Sequence, residues 1–142
     1  MALSDDEQRE RRASMRDVML SAKFIEDLGI VAERWDEDGV RLRLPFAARL
    51  TNDGTVFHGG AVSALVDTAG ASAVWAGHDF DQGLRAATVS LTVNYTGAGR
   101  GTDLLADATC VRRGRDLSFV EIHVTDPDGR LVATGSLVYR IV

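Results

Sequence analysis

The chain has little cysteine and no concentration of positive charge. Its single cysteine, Cys110, excludes an intramolecular disulfide, and no pair of cysteines offers the ligand spacing of a zinc site. The 16 basic and 21 acidic residues are interspersed and leave a net charge of −5, without the basic stripe that favours nucleic acid. We therefore expect a protein that holds no metal and binds no nucleic acid.

The chain also lacks a segment typical of export or membrane insertion. Its N-terminal residues are densely charged and contain no apolar core of a signal peptide. The apolar run between His58 and His78 is rich in small residues and carries Asp67, which argues against a membrane-spanning helix. These features predict a cytoplasmic protein with no membrane partner.

The length and composition predict one domain. A chain of 142 residues with 45% hydrophobic content can bury a core of ordinary size. We assign residues 1–15 to a charged N-terminal tail and residues 16–142 to a single domain. Residues 5–28 are expected to form a charged, frayed helix and then a second helix that ends at Gly29.

The remaining pattern predicts antiparallel strands around one long helix. Val40, Leu42 and Leu44 alternate with arginines, as in a strand with one face in water. The predicted strands span residues 30–35, 40–44, 87–95, 103–112, 117–125 and 130–141. With no parallel strand–helix–strand rhythm, this order indicates an α+β fold. A single covering helix leaves one sheet face or an edge strand to meet another subunit, so we expect a homo-oligomer.

Asp67 is the only charged side chain between His58 and His78, in the segment that predicts the long helix. The segment is expected to be buried almost all round. A carboxylate there loses hydration, and such groups are usually paired or functional. The alternative is a structural carboxylate that bonds a neighbouring amide or an arginine across a subunit contact.

The segment TNDGTVFHGGAVSALVDTAGASAV, residues 51–74, closely resembles the hotdog-fold acyl-CoA thioesterases, in particular their phenylacetyl-CoA (PaaI-like) branch. Its core is Asn-x-Gly-x-x-x-His-Gly-Gly, with an acidic residue seven positions after the second glycine of the final pair. The layout matches that family from Phe24 onward. The resemblance implies a curved antiparallel sheet wrapped round the central helix. It also implies homodimers or homotetramers with active sites at the dimer interface.

The resemblance assigns catalytic roles to several positions of this segment. Asp67 would act as general base on water or as nucleophile on the thioester carbonyl. The Gly59 amide, at the helix N-terminus, would polarise the carbonyl oxygen. Asn52 would hold the attacking water or orient the thioester, with an Asx-turn as its structural alternative.

Two further side chains receive roles from the resemblance, each with a structural alternative. His58 would fix the loop or contact the carbonyl region, or else serve only as a hydrogen-bonding residue before the helix. Ser90 would place a hydroxyl near the carboxylate, or else face solvent on its strand.

Coenzyme A binding is implied for Gly60 and for the turn RRGRD. Arg112, Arg113 and Arg115 would bind the phosphate groups, because the planar guanidinium forms paired, charge-assisted bonds with phosphate. The alternative is a solvated hairpin tip. The chain departs from the family at residues 96–103, TGAGRGTD, where relatives commonly carry a basic residue and a proline.

The function implied is hydrolysis of an acyl- or aryl-CoA thioester to the free acid and coenzyme A, without a metal or redox cofactor. A non-catalytic acyl-CoA-binding module is one alternative. A hotdog enoyl-CoA hydratase is another, but it would need an acid and a histidine a few residues apart. Here Asp67 follows His58 by nine residues, which fits a hydratase poorly.

Overall fold

The computed structural model describes the whole chain, residues 1–142. Its three α-helices are α1 (Asp5–Ser21), α2 (Lys23–Leu28) and α3 (Gly59–Ala76). Its six strands are β1 (Val31–Asp36), β2 (Gly39–Leu44), β3 (Ala86–Tyr95), β4 (Leu104–Arg113), β5 (Leu117–Thr125) and β6 (Leu131–Ile141). A short 3₁₀ helix, Ala48–Leu50, leads from β2 toward α3.

The six strands form one antiparallel sheet in the order β1-β2-β4-β5-β6-β3, and the sheet wraps around α3. The predicted α+β class is confirmed, and every strand begins and ends within one residue of its predicted bounds. No helix in the structure is both long enough and apolar enough to cross a membrane.

Alternation along the strands builds the core. Val40, Leu42 and Leu44 are fully buried against α3, as their spacing predicted. On the outer face of the same strand, Arg41 pairs with Asp107 on β4 at 2.8 Å. Strand β2 thus has one apolar face toward the helix and one face toward water.

Helix α3 is buried unevenly. Residues 68–76 are all buried, because α1 covers the side of this half that the sheet does not reach. In the N-terminal half, a face of small residues that includes Ala61 and Ala64 and ends at Asp67 is at most half-buried. The prediction that α3 is buried almost all round is therefore confirmed for the C-terminal half of the helix. For the N-terminal half of a single chain it is wrong.

Helix α1 is capped and ordered, not frayed as predicted. Ser4 and Glu7 form a reciprocal capping box at its first turn. Gln8 is buried: its amide donates to Asp79 at 2.8 Å and its oxygen accepts from the Phe80 amide at 2.9 Å. Residues 5–15 therefore form part of a helix that packs on the loop after α3, and the domain boundary at residue 16 stays a prediction.

Strand β3 lies at the edge of the sheet. It pairs with β6 along one side, and its other side has no partner in the protomer. Only Leu91 and Val93, which face the core, are half-buried; the remaining residues of the strand are exposed. A ten-residue edge of unpaired backbone groups is an open template for pairing with another strand.

Candidate active site

The loop before α3 is a tight turn that leaves one amide side chain free. Thr51 and Phe57 pair across it, and the Asp53 carboxylate accepts the amides of Val56 and Thr55, each at 2.9 Å. These bonds favour the charged form and lower the pKa of Asp53 to about 2. The Asx-turn considered for Asn52 is thus made by Asp53, and the exposed Asn52 side chain has no hydrogen-bond partner.

His58 caps the N-terminus of α3. Its Nδ1 accepts a hydrogen bond from the Gly60 amide at 2.8 Å, so the ring fills the hydrogen-bonding role considered as its structural alternative. The second position after the cap, Gly60, is tightly enclosed. A Cβ on Gly60 would lie 2.9 Å from His58 Nδ1, so a side chain there would displace the ring that caps the helix.

The Gly59 amide is a free donor. It has no acceptor in the chain, whereas the next two amides, of Gly60 and Ala61, both donate to His58. It also sits at the positive end of the helix dipole. The Gly59 carbonyl accepts from Tyr95 Oη at 3.0 Å, which fixes the first turn against the end of β3. The arrangement leaves one oriented N–H group open to an anionic or polarised oxygen.

Asp67 lies in the middle of α3 on the face that the protomer leaves uncovered. Its side chain is half-buried, and Oδ1 accepts a hydrogen bond from Thr88 Oγ1 at 2.8 Å. Ser63, one turn earlier on the same face, shares a hydrogen bond with Tyr95 Oη. Two hydroxyl groups of β3 therefore hold this face of α3, at Asp67 and at the first turn.

Ser90 does not reach the carboxylate. An irregularity in the pairing of β3 with β6 falls between Thr88 and Ser90, where one extra residue is accommodated. Leu91 faces the core beyond it, so Ser90 points to the outer face while Thr88 points to α3. The hydroxyl expected near Asp67 is supplied by Thr88 in this structure.

Gly59 and Asp67 do not converge within one protomer. They are separated by eight residues of a continuous helix, which corresponds to about 12 Å along its axis. His58, Gly59 and Gly60 lie at the helix N-terminus, Asn52 lies in the loop that leads to it, and Asp67 is more than two turns away along the helix. One thioester carbonyl cannot contact both groups of the same chain.

The RRGRD turn lies at the opposite end of α3 from Gly59. Arg113 donates to the carbonyl groups of Val74 and Ala73 at 2.9 and 3.1 Å, so its guanidinium caps the helix C-terminus. Arg115 pairs weakly with its neighbour Asp116. Arg112 forms no ion pair.

Two cavities flank the helix N-terminus. One, of about 410 Å³, is lined by the first turn of α3, the end of β3 and the following glycine-rich loop, including Gly59, Tyr95 and Gly97. The other, of about 380 Å³, includes Phe24 and Leu28 from α2. Both are bounded mainly by apolar surface and open beside the free Gly59 amide or the His58 cap, so each has room for an apolar group.

The sequence did not reveal Thr88, Tyr95 or Ser63 as site residues. Tyr95 continues the inward alternation of Leu91 and Val93, so its position near α3 was available from the pattern. The role of Thr88 was not available, because the extra residue after it reverses the alternation.

Comparison with known proteins shows that this chain is related in sequence to a described family. The family described as the thioesterase superfamily matches residues 54–133, more than half of the chain. A Halobacterium salinarum protein named "putative esterase" is 39% identical over 103 residues, which cover 70% of this chain and 68% of that protein.

Solved structures share the fold. The E. coli PaaI protein from the phenylacetic acid degradation operon has a TM-score of 0.82 and 22% identity, covering 95% of this chain and 96% of that one. A hypothetical thioesterase of Streptococcus pneumoniae, solved with coenzyme A, has a TM-score of 0.71 and 22% identity, covering 80% and 85%. The fold and the sequence match agree: this chain belongs to the thioesterase superfamily and has its hotdog fold.

Proposed function

We propose that this protein hydrolyses an acyl- or aryl-CoA thioester to the free acid and coenzyme A. The observation that carries the proposal is a free amide at Gly59 together with a half-exposed carboxylate at Asp67 on α3. Thioester hydrolysis needs a donor for the developing oxyanion and a base or nucleophile. The S. pneumoniae structure with coenzyme A and the PaaI protein support this substrate class.

The proposed site is shared between two protomers. β3 runs from Thr88, beside Asp67, to Tyr95, beside Gly59. When a second copy pairs antiparallel along the free edge of β3, its Tyr95 end comes next to the first copy's Thr88 end. The carboxylate of one protomer then approaches the Gly59 amide of the other. We therefore propose a homodimer, or a homotetramer made of two such dimers.

In the proposed reaction, the Asp67 carboxylate takes a proton from water as the water oxygen bonds to the thioester carbon. The Gly59 amide of the partner holds the negative charge that develops on the carbonyl oxygen. The C–S bond then breaks, and the leaving thiolate takes the proton from Asp67. In the alternative route, Asp67 attacks the carbon directly and the C–S bond breaks, so that the coenzyme A thiolate leaves and a mixed anhydride remains. Water then hydrolyses the anhydride to the free acid and the Asp67 carboxylate, and the proton released protonates the thiolate. The free Asn52 amide orients the water or the thioester.

The remaining groups act by position. His58 occupies the Gly60 amide and so fixes the turn that presents the Gly59 N–H, while Gly60 contributes a surface without a side chain to the bound coenzyme A. The proposed reaction is redox-neutral and uses only the carboxylate and the amide, so it needs no metal and no redox cofactor; coenzyme A enters as part of the substrate. A cytoplasmic location is proposed with it, in agreement with a chain that cannot form an internal disulfide.

A thiol-release assay over a panel of CoA thioesters tests the function. The panel should include acetyl, medium-chain, phenylacetyl and hydroxybenzoyl esters, so that the acyl preference is measured together with the activity. We expect enzyme-dependent release of free coenzyme A from at least one of them. Binding of these thioesters without any thiol release would instead indicate the non-catalytic binding module.

Thr88 provides a positioning test. Thr88→Val keeps the shape but removes the hydroxyl that holds Asp67 Oδ1, so kcat is expected to fall about tenfold, as for the loss of one hydrogen bond to a charged group. KM should change little, because Thr88 holds the carboxylate and not the substrate. Thr88→Ser restores the donor and should recover most of the rate, an outcome that a purely steric role for the threonine would not produce.

A further inference from the structure

Two arginines at the start of β3 form no ion pair with an acidic side chain, and the backbone of Val142, the last residue of the sequence, pairs with Arg85 beside them. Arg85 immediately precedes the strand, and Arg140 lies on the outer face of β6 opposite Ala87. Both border a depression of about 250 Å³. Neither guanidinium forms an ion pair, whereas Arg41 and Arg43 elsewhere on the outer face pair with Asp107 and Asp103.

The depression has a local excess of positive charge in a chain whose net charge is −5. Acidic side chains are plentiful, yet Arg85 and Arg140 share one concavity without any of them. Two neighbouring guanidinium groups repel each other unless an anion lies between them, and their planar donors match the oxygens of a phosphate group. The depression is therefore suited to a phosphorylated ligand.

The depression lies on the outer face of the sheet and Asp67 on the inner face, so a ligand that reaches both would pass around the Arg85 end of β3. Arg85 precedes Thr88, the hydrogen-bond partner of Asp67, by three residues, or about 10 Å along an extended strand. Coenzyme A carries its phosphate groups at the far end of an extended pantetheine arm. A phosphate site is therefore expected away from Asp67 along the strand, and not beside it.

The RRGRD turn is less well placed. Arg113 is committed to the C-terminus of α3 and Arg115 pairs with Asp116. Arg112 lies on β4, three strands away from β3, which corresponds to about 14 Å across the sheet. Arg85 and Arg140 are on or next to the edge strand that carries Thr88.

We propose that Arg85 and Arg140 bind the phosphate groups of the nucleotide in the CoA thioester. This inference rests on the proposed function for the identity of the ligand. The phosphate contacts then come from the same protomer as Asp67. They lie at the Arg85 end of β3, and Gly59 of that protomer lies near the other end of the strand.

Steady-state kinetics with two substrates test the proposal. The double variant Arg85→Gln/Arg140→Gln is compared on a CoA thioester and on the corresponding pantetheine thioester, which lacks the nucleotide. KM for the CoA thioester should rise about tenfold or more, as expected for lost charge-assisted bonds to phosphate, and KM for the pantetheine thioester should stay within about twofold. Equal effects on both substrates, or no effect on either, would overturn the proposal.

The matched control is Arg112→Gln/Arg115→Gln, which also removes two positive charges. We expect its KM for the CoA thioester to stay near the wild-type value. A rise in this control that equals or exceeds the rise in Arg85→Gln/Arg140→Gln would overturn the proposal and return the phosphate site to the RRGRD turn.

A binding measurement separates this inference from the proposed function. Calorimetry with adenosine 3′,5′-bisphosphate needs no turnover. Binding by the wild type that is lost in Arg85→Gln/Arg140→Gln supports the phosphate site even when no thioester of the panel is hydrolysed. Failure of the wild type to bind this nucleotide, with inorganic phosphate as a second probe, would overturn the phosphate site whatever the hydrolysis assay shows.

Discussion

Replacement of Asp67 by asparagine is expected to lower kcat by about a thousandfold, which is within the range of a lost general base or nucleophile. The amide is nearly isosteric with the carboxylate, and its oxygen can still accept the hydrogen bond from Thr88. It can neither take a proton from water nor attack the thioester carbon. Because Asp67 is half-buried and forms no ion pair, the fold should tolerate the change.

The measurement compares kcat, thermal unfolding and thioester binding for the wild type and Asp67→Asn. Asp128→Asn is the matched control, since it makes the same chemical change at an exposed turn whose side chain forms no ion pair. We expect full activity in the control and unchanged unfolding in both variants. A folded Asp67→Asn protein that retains wild-type kcat would remove Asp67 from the mechanism.

Strands β2 and β5 were predictable because each of them buries a single face. Along β2 and β5, apolar side chains recur at every second position, and this period specifies both the extended conformation and the face that meets α3. The turn residues between the strands then set their limits. Local pattern and global packing agree in these elements, so the sequence alone was sufficient.

The pattern fails where a single extra residue interrupts the pairing. Strict alternation from Leu91 would turn Val89 toward the core and Thr88 toward water. In the structure Val89 is 56% exposed and Thr88 bonds to Asp67, because the irregularity between Thr88 and Ser90 reverses the faces. The register of β3 with β6 decides which face each side chain occupies. That register is a property of the folded sheet and cannot be obtained from the sequence of one strand.

The sequence also did not distinguish the roles of adjacent residues with similar chemistry. Asn52 and Asp53 are equally suited to an Asx-turn, and only the folded loop shows that Asp53 makes it and leaves Asn52 free. Likewise, the three arginines of the RRGRD turn look equivalent, yet Arg113 alone reaches the α3 carbonyl groups. Direction of the side chain, not residue type, distinguishes these positions.

The spacing of Gly59 and Asp67 leads to the second large expected effect, the rescue of one inactive variant by another. In a two-fold dimer every contact occurs twice with the roles of the protomers exchanged. A mixed dimer of Asp67→Asn and Asn52→Ala protomers then has one site with both lesions and one site with neither. Half of the sites in that mixed dimer should be active.

Co-refolding equal amounts of the two variants gives mixed dimers as about half of all dimers under random pairing, so activity should recover to about a quarter of the wild-type value. The reciprocal mixture contains the wild type and the double variant Asn52→Ala/Asp67→Asn. With shared sites, each mixed dimer of this kind has one lesion in each site, so activity should fall from about half to about a quarter of the wild-type value on mixing. Sites contained within one protomer predict no recovery in the first mixture and no loss in the second. For a shared site, activity therefore rises in the first mixture and falls in the second. Poor refolding can only lower the activity of both mixtures, so it cannot produce the rise in the first.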